Sequence, residues 1–159
     1  MPRQATLVSD IMSTTLITVA ADTDLGEALA LMSDYHLRRL PVVKTVGGES
    51  VIVGVITDRD LRLAAQSPFL QVDAGSVMSE LRQLRVADVM SRDVVTVFPS
   101  APVATAAQLM LDRHIGGLPV VERENGRVYL VGIITRSDLL RLLIDLAPPD
   151  MGAGDQDPP

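Results

Sequence analysis

The sequence predicts an α/β (α+β) fold built from two β-α-β-β-α repeats that pack sheet to sheet. Sliding the chain along itself by 78 residues aligns positions 10–61 with 88–139 without a gap, and 21 of the 52 pairs are identical. Both copies alternate short apolar runs with segments of helical periodicity. A copy of about 55 residues buries too little surface to be stable alone. Two copies that share a core suit a chain of 159 residues.

Each copy begins with a short helical turn, a strand and a longer helix. The turn is predicted at 9–12 and 87–90, and the β-branched apolar run that forms the strand at 16–19 and 94–97. Apolar residues at helical spacing then predict a helix in each copy. The residues at positions 22–24 can cap the first of these helices, and Ser100 and Pro102 have the same place before the second.

A hairpin and a final helix complete each copy. The first hairpin, 39–43 and 51–56, turns at Gly47-Gly48. The second, 118–121 and 128–134, turns at Asn125-Gly126, a pair that favours a type I′ turn. Helices are predicted directly after each hairpin, at 58–65 and 136–146. The predicted organisation is a first repeat at 7–65, a linker with a short helix at 66–85, a second repeat at 86–146 and a disordered tail at 147–159.

Composition argues against several function classes. The formal net charge is −6, which opposes binding to nucleic acid and to anionic membranes. Aromatic residues make up 3% of the chain, too few for base-stacking platforms. The sequence has no cysteine, so disulfides and thiolate sites are excluded. Because neither a signal peptide nor a long apolar span is recognisable, we expect a cytoplasmic protein.

A Thr-x-x-Asp motif stands at the same place in both copies, in VGVITDRDL at 53–61 and VGIITRSDL at 131–139. The threonine falls where a strand meets a helix, and the free N–H groups of a helix N-terminus favour a phosphate. The aspartate one turn later can accept hydrogen bonds from ribose hydroxyls. The alternative is a capping box with no ligand, because the same spacing is common at helix starts.

The repeated blocks D-[IV]-M-S, T-V, H-x-x-x-L-P-V-V and G-[VI]-I-T-x-x-D resemble a pair of cystathionine β-synthase (CBS) domains over about residues 7–145. The resemblance implies pseudo-twofold symmetry between the repeats and two clefts between them. Such clefts bind AMP, ADP, ATP, S-adenosylmethionine or NAD, and the module regulates an attached or partner protein. It also implies a homodimer, a disc of four repeats.

The resemblance further implies the residues of each cleft. Those of the first cleft are Thr57, Asp58, Arg59, Asp60, Arg39, Val94, Val95, Ile115 and Gly116. Those of the second cleft are Thr135, Arg136, Ser137, Asp138, Leu16, Ile17, Leu37 and Arg38. The two aspartates would hold ribose hydroxyls, the two threonines would contact the ribose or the α-phosphate, and apolar residues would surround adenine.

The copies differ in their arginines. Arg38-Arg39 in the first copy corresponds to Gly116-Gly117 in the second. Because a guanidinium donates two parallel hydrogen bonds to phosphate, these arginines, with Arg59 and Arg136, are candidates for a polyphosphate, with or without Mg²⁺. The alternative is that they lie in solvent or pair with carboxylates of a dimer. We expect no protein-ligated metal site, and we place His36 and His114 at helix C-termini.

No catalytic residue set is recognisable, so we expect a binding protein and no enzyme. The chain has no phosphate loop or nucleophile elbow, and Lys44 is its one lysine. The predicted function is a regulatory sensor of AMP, ADP or ATP. Two alternatives stay open: an S-adenosylmethionine or NAD binder, and a ligand-free dimerisation module. The final helix, which contains LLRLLIDL at 139–146, favours a protein interface because it is apolar around most of its circumference.

Overall fold

The computed structural model describes residues 5–66 and 76–147. The helices are α1 (Val8–Ile11), α2 (Leu25–Asp34), α3 (Asp58–Ala65), α4 (Val77–Leu81), α5 (Val86–Val89), α6 (Val103–Arg113) and α7 (Arg136–Leu146). The strands are β1 (Arg39–Val46), β2 (Glu49–Thr57), β3 (Gly117–Glu124) and β4 (Arg127–Thr135). The tail from 148 and the linker positions 67–75 lie outside the described residues.

The strands form one antiparallel sheet in the order β1-β2-β4-β3. Each hairpin is tightly paired, and the two hairpins meet where Val51 of β2 pairs with Tyr129 of β4. Both turns have positive φ at their two central positions, Gly47 and Gly48 in one and Asn125 and Gly126 in the other. The predicted fold class is confirmed, and the sheets of the two halves meet edge to edge.

The predicted strands at 16–19 and 94–97 are reduced to one paired residue each. Val19 forms a parallel bridge with Val42, and Val97 with Val120. The Val19 N–H donates to the Pro41 carbonyl at 3.1 Å, and the Val43 N–H donates to the Val19 carbonyl at 2.9 Å. β1 has a register shift between Val42 and Val43, so the ladder is irregular at this place.

The first helix of each repeat packs in the core of the opposite half. Val8 of α1 is fully buried in the second half's core, with Leu118 and Ile134. Val86 of α5 is fully buried in the first half's core, with Leu40. Each repeat in the sequence therefore supplies a small part of the other repeat's core.

The predicted linker contributes a helix to the first half. Leu81 of α4 is only 2% exposed and belongs to the same core as Leu25 and Leu61. Among the described residues, no helix has the length and apolarity needed to cross a bilayer.

Backbone hydrogen bonds cross between the halves at two symmetric places. The Ser13 N–H donates to the Ile133 carbonyl at 2.8 Å, and the Ile133 N–H donates to the Ser13 carbonyl at 2.9 Å. Ser91 and Val55 exchange the same pair of bonds, each 2.9 Å long. The segment that follows α1 or α5 is thus held against the last strand of the opposite half.

We expect Gly54→Ala to destabilise the fold, because these crossing segments leave no room for a side chain. A Cβ atom at Gly54 would lie 2.9 Å from the Ser91 carbonyl oxygen and 2.8 Å from the Met90 sulfur. The backbone oxygen cannot move without breaking the Ser91–Val55 pair, so a loss of about 1–3 kcal/mol in the free energy of unfolding is expected. Urea denaturation measures it.

Gly116→Ala is the matched control. A Cβ atom at Gly116 has no neighbour nearer than 3.7 Å, and this residue does not have a positive φ. Equal urea midpoints for the two variants would contradict the close approach at Gly54.

Candidate functional site

Both Thr-x-x-Asp motifs form a complete capping box. The Asp60 N–H donates to Thr57 Oγ1 at 3.2 Å, while the Thr57 N–H and hydroxyl both donate to Asp60 Oδ2 at 2.8 Å. Thr135 and Asp138 repeat these three bonds at 2.7 to 3.3 Å. The local structure follows from the sequence, because a threonine N-cap with an acid at the third helical position satisfies two free N–H groups.

The capping box uses only one oxygen of each carboxylate. Both bonds that Asp60 accepts end on Oδ2, and among the described residues no hydrogen bond to Oδ1 is found. Oδ1 of Asp138 accepts one bond from Arg141 at 3.4 Å, and the Arg141 side chain is 75% exposed. A carboxylate oxygen offers two acceptor positions, so capping and ligand contact are compatible.

The first cleft lies beside Thr57 and has a volume of about 150 Å³. Arg39, Val55 and Thr57 line it from the first half. The second half supplies the remaining lining, which is mostly apolar: Ser91, Asp93, Val94, Val95, Ile115, Gly117 and Pro119. The structure thus brings five predicted residues of this cleft together: Arg39, Thr57, Val94, Val95 and Ile115.

The second cleft lies beside Thr135 and has a volume of about 420 Å³. Its predicted residues Ile17, Leu37, Arg38, Thr135 and Ser137 all line it. The other lining residues are Ser13, Thr15, His36, Arg39, Gly116, Gly117 and Ile133. Arg39 and Gly117 therefore border both clefts.

Some predicted residues are placed differently. Gly116 lines the second cleft, whereas the prediction put it in the first, where Gly117 is the glycine of the lining. Leu16 is absent from the lining of the second cleft, where Thr15 and Ile17 point instead. This alternation is expected of an extended segment, in which neighbouring side chains face opposite ways.

The remaining predicted residues lie in the first turns of α3 and α7, outside the lining. They are Asp58, Arg59, Asp60, Arg136 and Asp138. Asp58 pairs with Arg62 at 3.0 Å. Arg136 donates to the Ile115 carbonyl at 3.5 Å. Asp60 and Asp138 are hydrogen-bonded to Thr57 and Thr135, the threonines that line the clefts.

Arg39 is the half-buried cation at the seam between the clefts. Its Nη1 donates to the Gly117 carbonyl at 3.3 Å, a bond between the halves. Burial lowers the pKa of Arg39 below its usual value, Arg136 adds to this, and Asp58 and Asp60 oppose it. Among the described residues its guanidinium has no ion-pair partner within 4.0 Å, so an anion in either cleft could bind it.

The sequence prediction missed five polar residues that line the clefts: Ser13, Thr15, His36, Ser91 and Asp93. Both histidines have positive φ, at 53° and 52°, just after the ends of α2 and α6, as predicted for helix C-termini. The pattern H-x-x-x-L-P-V-V does not indicate that its histidine borders a cleft. Among the described residues, no group of three or more metal-ligating side chains is close enough to hold a metal.

Comparison with known proteins places this architecture in one family. The CBS domain model matches residues 8–67 and 86–145. A CBS domain-containing protein of Dictyostelium discoideum is 43% identical over 143 residues, which cover 90% of this chain and 94% of that protein. The match also extends to parts of longer proteins: the chain is 31% identical to a homoserine O-acetyltransferase of Methanococcoides burtonii but spans only 24% of its length.

Two similar solved structures are complexes with adenosine compounds. CBSX2, a CBS-pair protein of Arabidopsis thaliana, was solved with AMP. Its structure matches this chain with a TM-score of 0.68 and 28% sequence identity, and the match covers 87% of this chain and 96% of that one. The CBS domain pair of protein MJ0100 was solved with 5′-methylthioadenosine and S-adenosyl-L-methionine. It has a TM-score of 0.67 and 29% identity, and the match covers 89% of this chain and 98% of that one. The duplicated motif blocks, the paired halves and these matches together show that the chain belongs to the CBS domain family.

Proposed function

We propose that this chain is a regulatory module that binds an adenosine ligand in each of its two clefts and acts on a partner protein without catalysing a reaction. The observation that carries the proposal is the pair of clefts between the halves, each bordered by the threonine of a capping box. The AMP and S-adenosylmethionine complexes of similar CBS pairs support this ligand class.

The chemistry of each cleft suits a nucleoside. Val94, Val95 and Ile115 in the first cleft, and Ile17 and Leu37 in the second, offer apolar surface to a purine. Ribose hydroxyls would donate to Asp60 and Asp138, whose carboxylates keep acceptor capacity beyond the capping box. A phosphate would meet the threonine hydroxyl and the positive end of α3 or α7.

Regulation would follow from where the ligand sits. Each cleft takes its walls from both halves, so a bound ligand links them and stabilises the angle at which its contacts are best. A ligand shifts a conformational equilibrium only by its difference in affinity for the two states. The partner would bind one of these states preferentially. We propose that the protein acts in the cytoplasm.

The first test is thermal unfolding in the presence of AMP, ADP, ATP, S-adenosylmethionine and NADH, each with and without Mg²⁺. A ligand present at about 100 times its Kd stabilises the folded chain by about 2.7 kcal/mol, which raises the Tm by roughly 5–10 °C. We expect such a shift with at least one adenosine compound and none with guanosine or cytidine analogues. Unchanged Tm values with all five compounds would refute the proposal.

A ligand-free interaction module is the second candidate, and one surface favours it. The α6–α7 face exposes large apolar side chains: Leu111 is 69% exposed, Leu143 63% and Ile144 72%. The equivalent positions of the first half, 78 residues earlier, hold Ser33, Ala65 and Gln66. This difference indicates that the second half carries an interface, and we propose that it joins two copies of the chain.

Sedimentation velocity tests the homodimer. We expect a dimer for the wild type and a monomer for Leu143→Asp, because the charge would be buried at the centre of the α6–α7 face. A wild-type chain that is monomeric at micromolar concentration would contradict the proposed homodimer. The ligand panel then separates the two candidates, since a module without a ligand gives no adenosine-dependent Tm shift.

A further inference from the structure

The two clefts differ in charge and in size, and this difference assigns them different ligands. We propose that the phosphate chain of a nucleotide binds in the second cleft, and that the first cleft takes an adenosine ligand that carries no phosphate chain. The inference rests on the proposed function for the adenosine part. The new element is the assignment of the anion to one of the two clefts.

The second cleft is lined by two arginines and by no carboxylate. Arg38 and Arg39 line it beside the His36 imidazole, and its volume is about 420 Å³. Neither arginine has an ion-pair partner within 4.0 Å among the described residues. Arg38 is exposed and Arg39 is half-buried, and a phosphate chain supplies the negative charge and the acceptor oxygens that both guanidinium groups lack.

The first cleft lacks these features at the equivalent positions. Gly116, which is the residue equivalent to Arg38, does not line the first cleft, and Asp93 stands where the second cleft has Thr15. The cleft has a volume of about 150 Å³, roughly a third of the other. Asp93 would repel a polyphosphate, and it can accept a hydrogen bond from the amino group of a base.

Arg38 distinguishes the clefts, whereas Arg39 does not. Arg39 lines both clefts, so its loss would weaken an anion in either. Arg38 lines the second cleft alone and is exposed. Its backbone carbonyl accepts a bond from the Asp58 N–H at 2.9 Å, and this bond does not need the side chain. Arg38→Ala therefore removes one cation from one cleft and leaves the fold intact.

Isothermal titration calorimetry of the full chain tests the assignment with three probes: ATP, adenosine and inorganic tripolyphosphate. For the wild type we expect one tripolyphosphate and one ATP per chain at high affinity. Arg38→Ala should weaken both on the order of tenfold and leave the affinity for adenosine unchanged. Arg127→Ala, which removes an exposed arginine outside both clefts, is the control for net charge and should change none of the three.

The outcomes separate this inference from the proposed function. Two equivalent ATP sites in the wild type, or equal weakening of ATP and adenosine in Arg38→Ala, would overturn the assignment of the phosphates while the adenosine sites stand. Tripolyphosphate binding that depends on Arg38, in a chain that binds neither adenosine nor ATP, would support the anion cleft and refute the proposed function. Tripolyphosphate binding that ignores Arg38 would overturn the inference.

Discussion

Replacing Asp60 and Asp138 together by alanine is expected to remove the stabilisation of the chain by adenosine ligands. Each carboxylate holds its threonine through two hydrogen bonds to one oxygen and keeps acceptor capacity for ribose hydroxyls. The double variant loses both contributions in both clefts. We expect the Tm increase produced by AMP or ATP to fall from roughly 5–10 °C to about zero. Differential scanning calorimetry with and without ligand measures it.

Loss of a capping box lowers stability by itself, so the comparison needs a control. Each missing cap is expected to cost about 1 kcal/mol in the free chain. Asp88→Ala is the matched control, because Asp88 accepts from the Arg85 N–H at 2.8 Å in a similar box at α5, and Arg85, unlike Thr57 and Thr135, lines neither cleft. It should lower the Tm of the free chain and leave the ligand-induced increase intact. A full ligand response in Asp60→Ala with Asp138→Ala would show that the carboxylates serve only as caps.

The second large effect concerns the exchanged helices. Val8→Ala should destabilise the second half of the molecule, although Val8 stands at the start of the first repeat. The side chain is fully buried with Val97, Leu118 and Val120, so its truncation removes two methyl groups from that core. We expect a loss of about 2 kcal/mol in the free energy of unfolding. Val86→Ala should have the reciprocal effect on the core around Leu40 and Val42.

Hydrogen–deuterium exchange locates these two effects. In Val8→Ala the amides of β3 should exchange faster than in the wild type, with little change in β1. In Val86→Ala the order should reverse, and each variant is the control for the other. Faster exchange in the repeat that contains the substitution, with the other repeat unchanged, would contradict the exchange of α1 and α5.

The sequence is most informative where local chemistry decides the structure. α3 and α7 begin and end at the residues that the prediction gave. Their starts were predictable because Thr57 and Thr135 are recognisable N-cap residues. The Asn125-Gly126 turn has the positive φ values that its residue types require. The hairpins extend a few residues beyond their predicted ends, since polar positions such as Lys44 and Glu122 still pair across the ladder.

The exchange of α1 and α5 could not be predicted, because duplication makes the two cores chemically alike. A four-residue helix that buries one valine fits either core, and only the path of the chain selects one. The same limit applies to the clefts. The sequence identifies Thr57 and Thr135, but whether Gly116 or Gly117 faces a given cleft depends on how the halves dock. Asp93 and His36 enter the clefts for the same reason.

A crystal structure of the chain grown with saturating AMP tests the central claim most directly. The account predicts density for adenosine between the halves, with ribose oxygens within hydrogen-bond distance of Asp60 or Asp138 and the base against the apolar residues of the same cleft. Clear density for AMP at another surface, or clefts that hold only solvent at a concentration that raises the Tm, would contradict it.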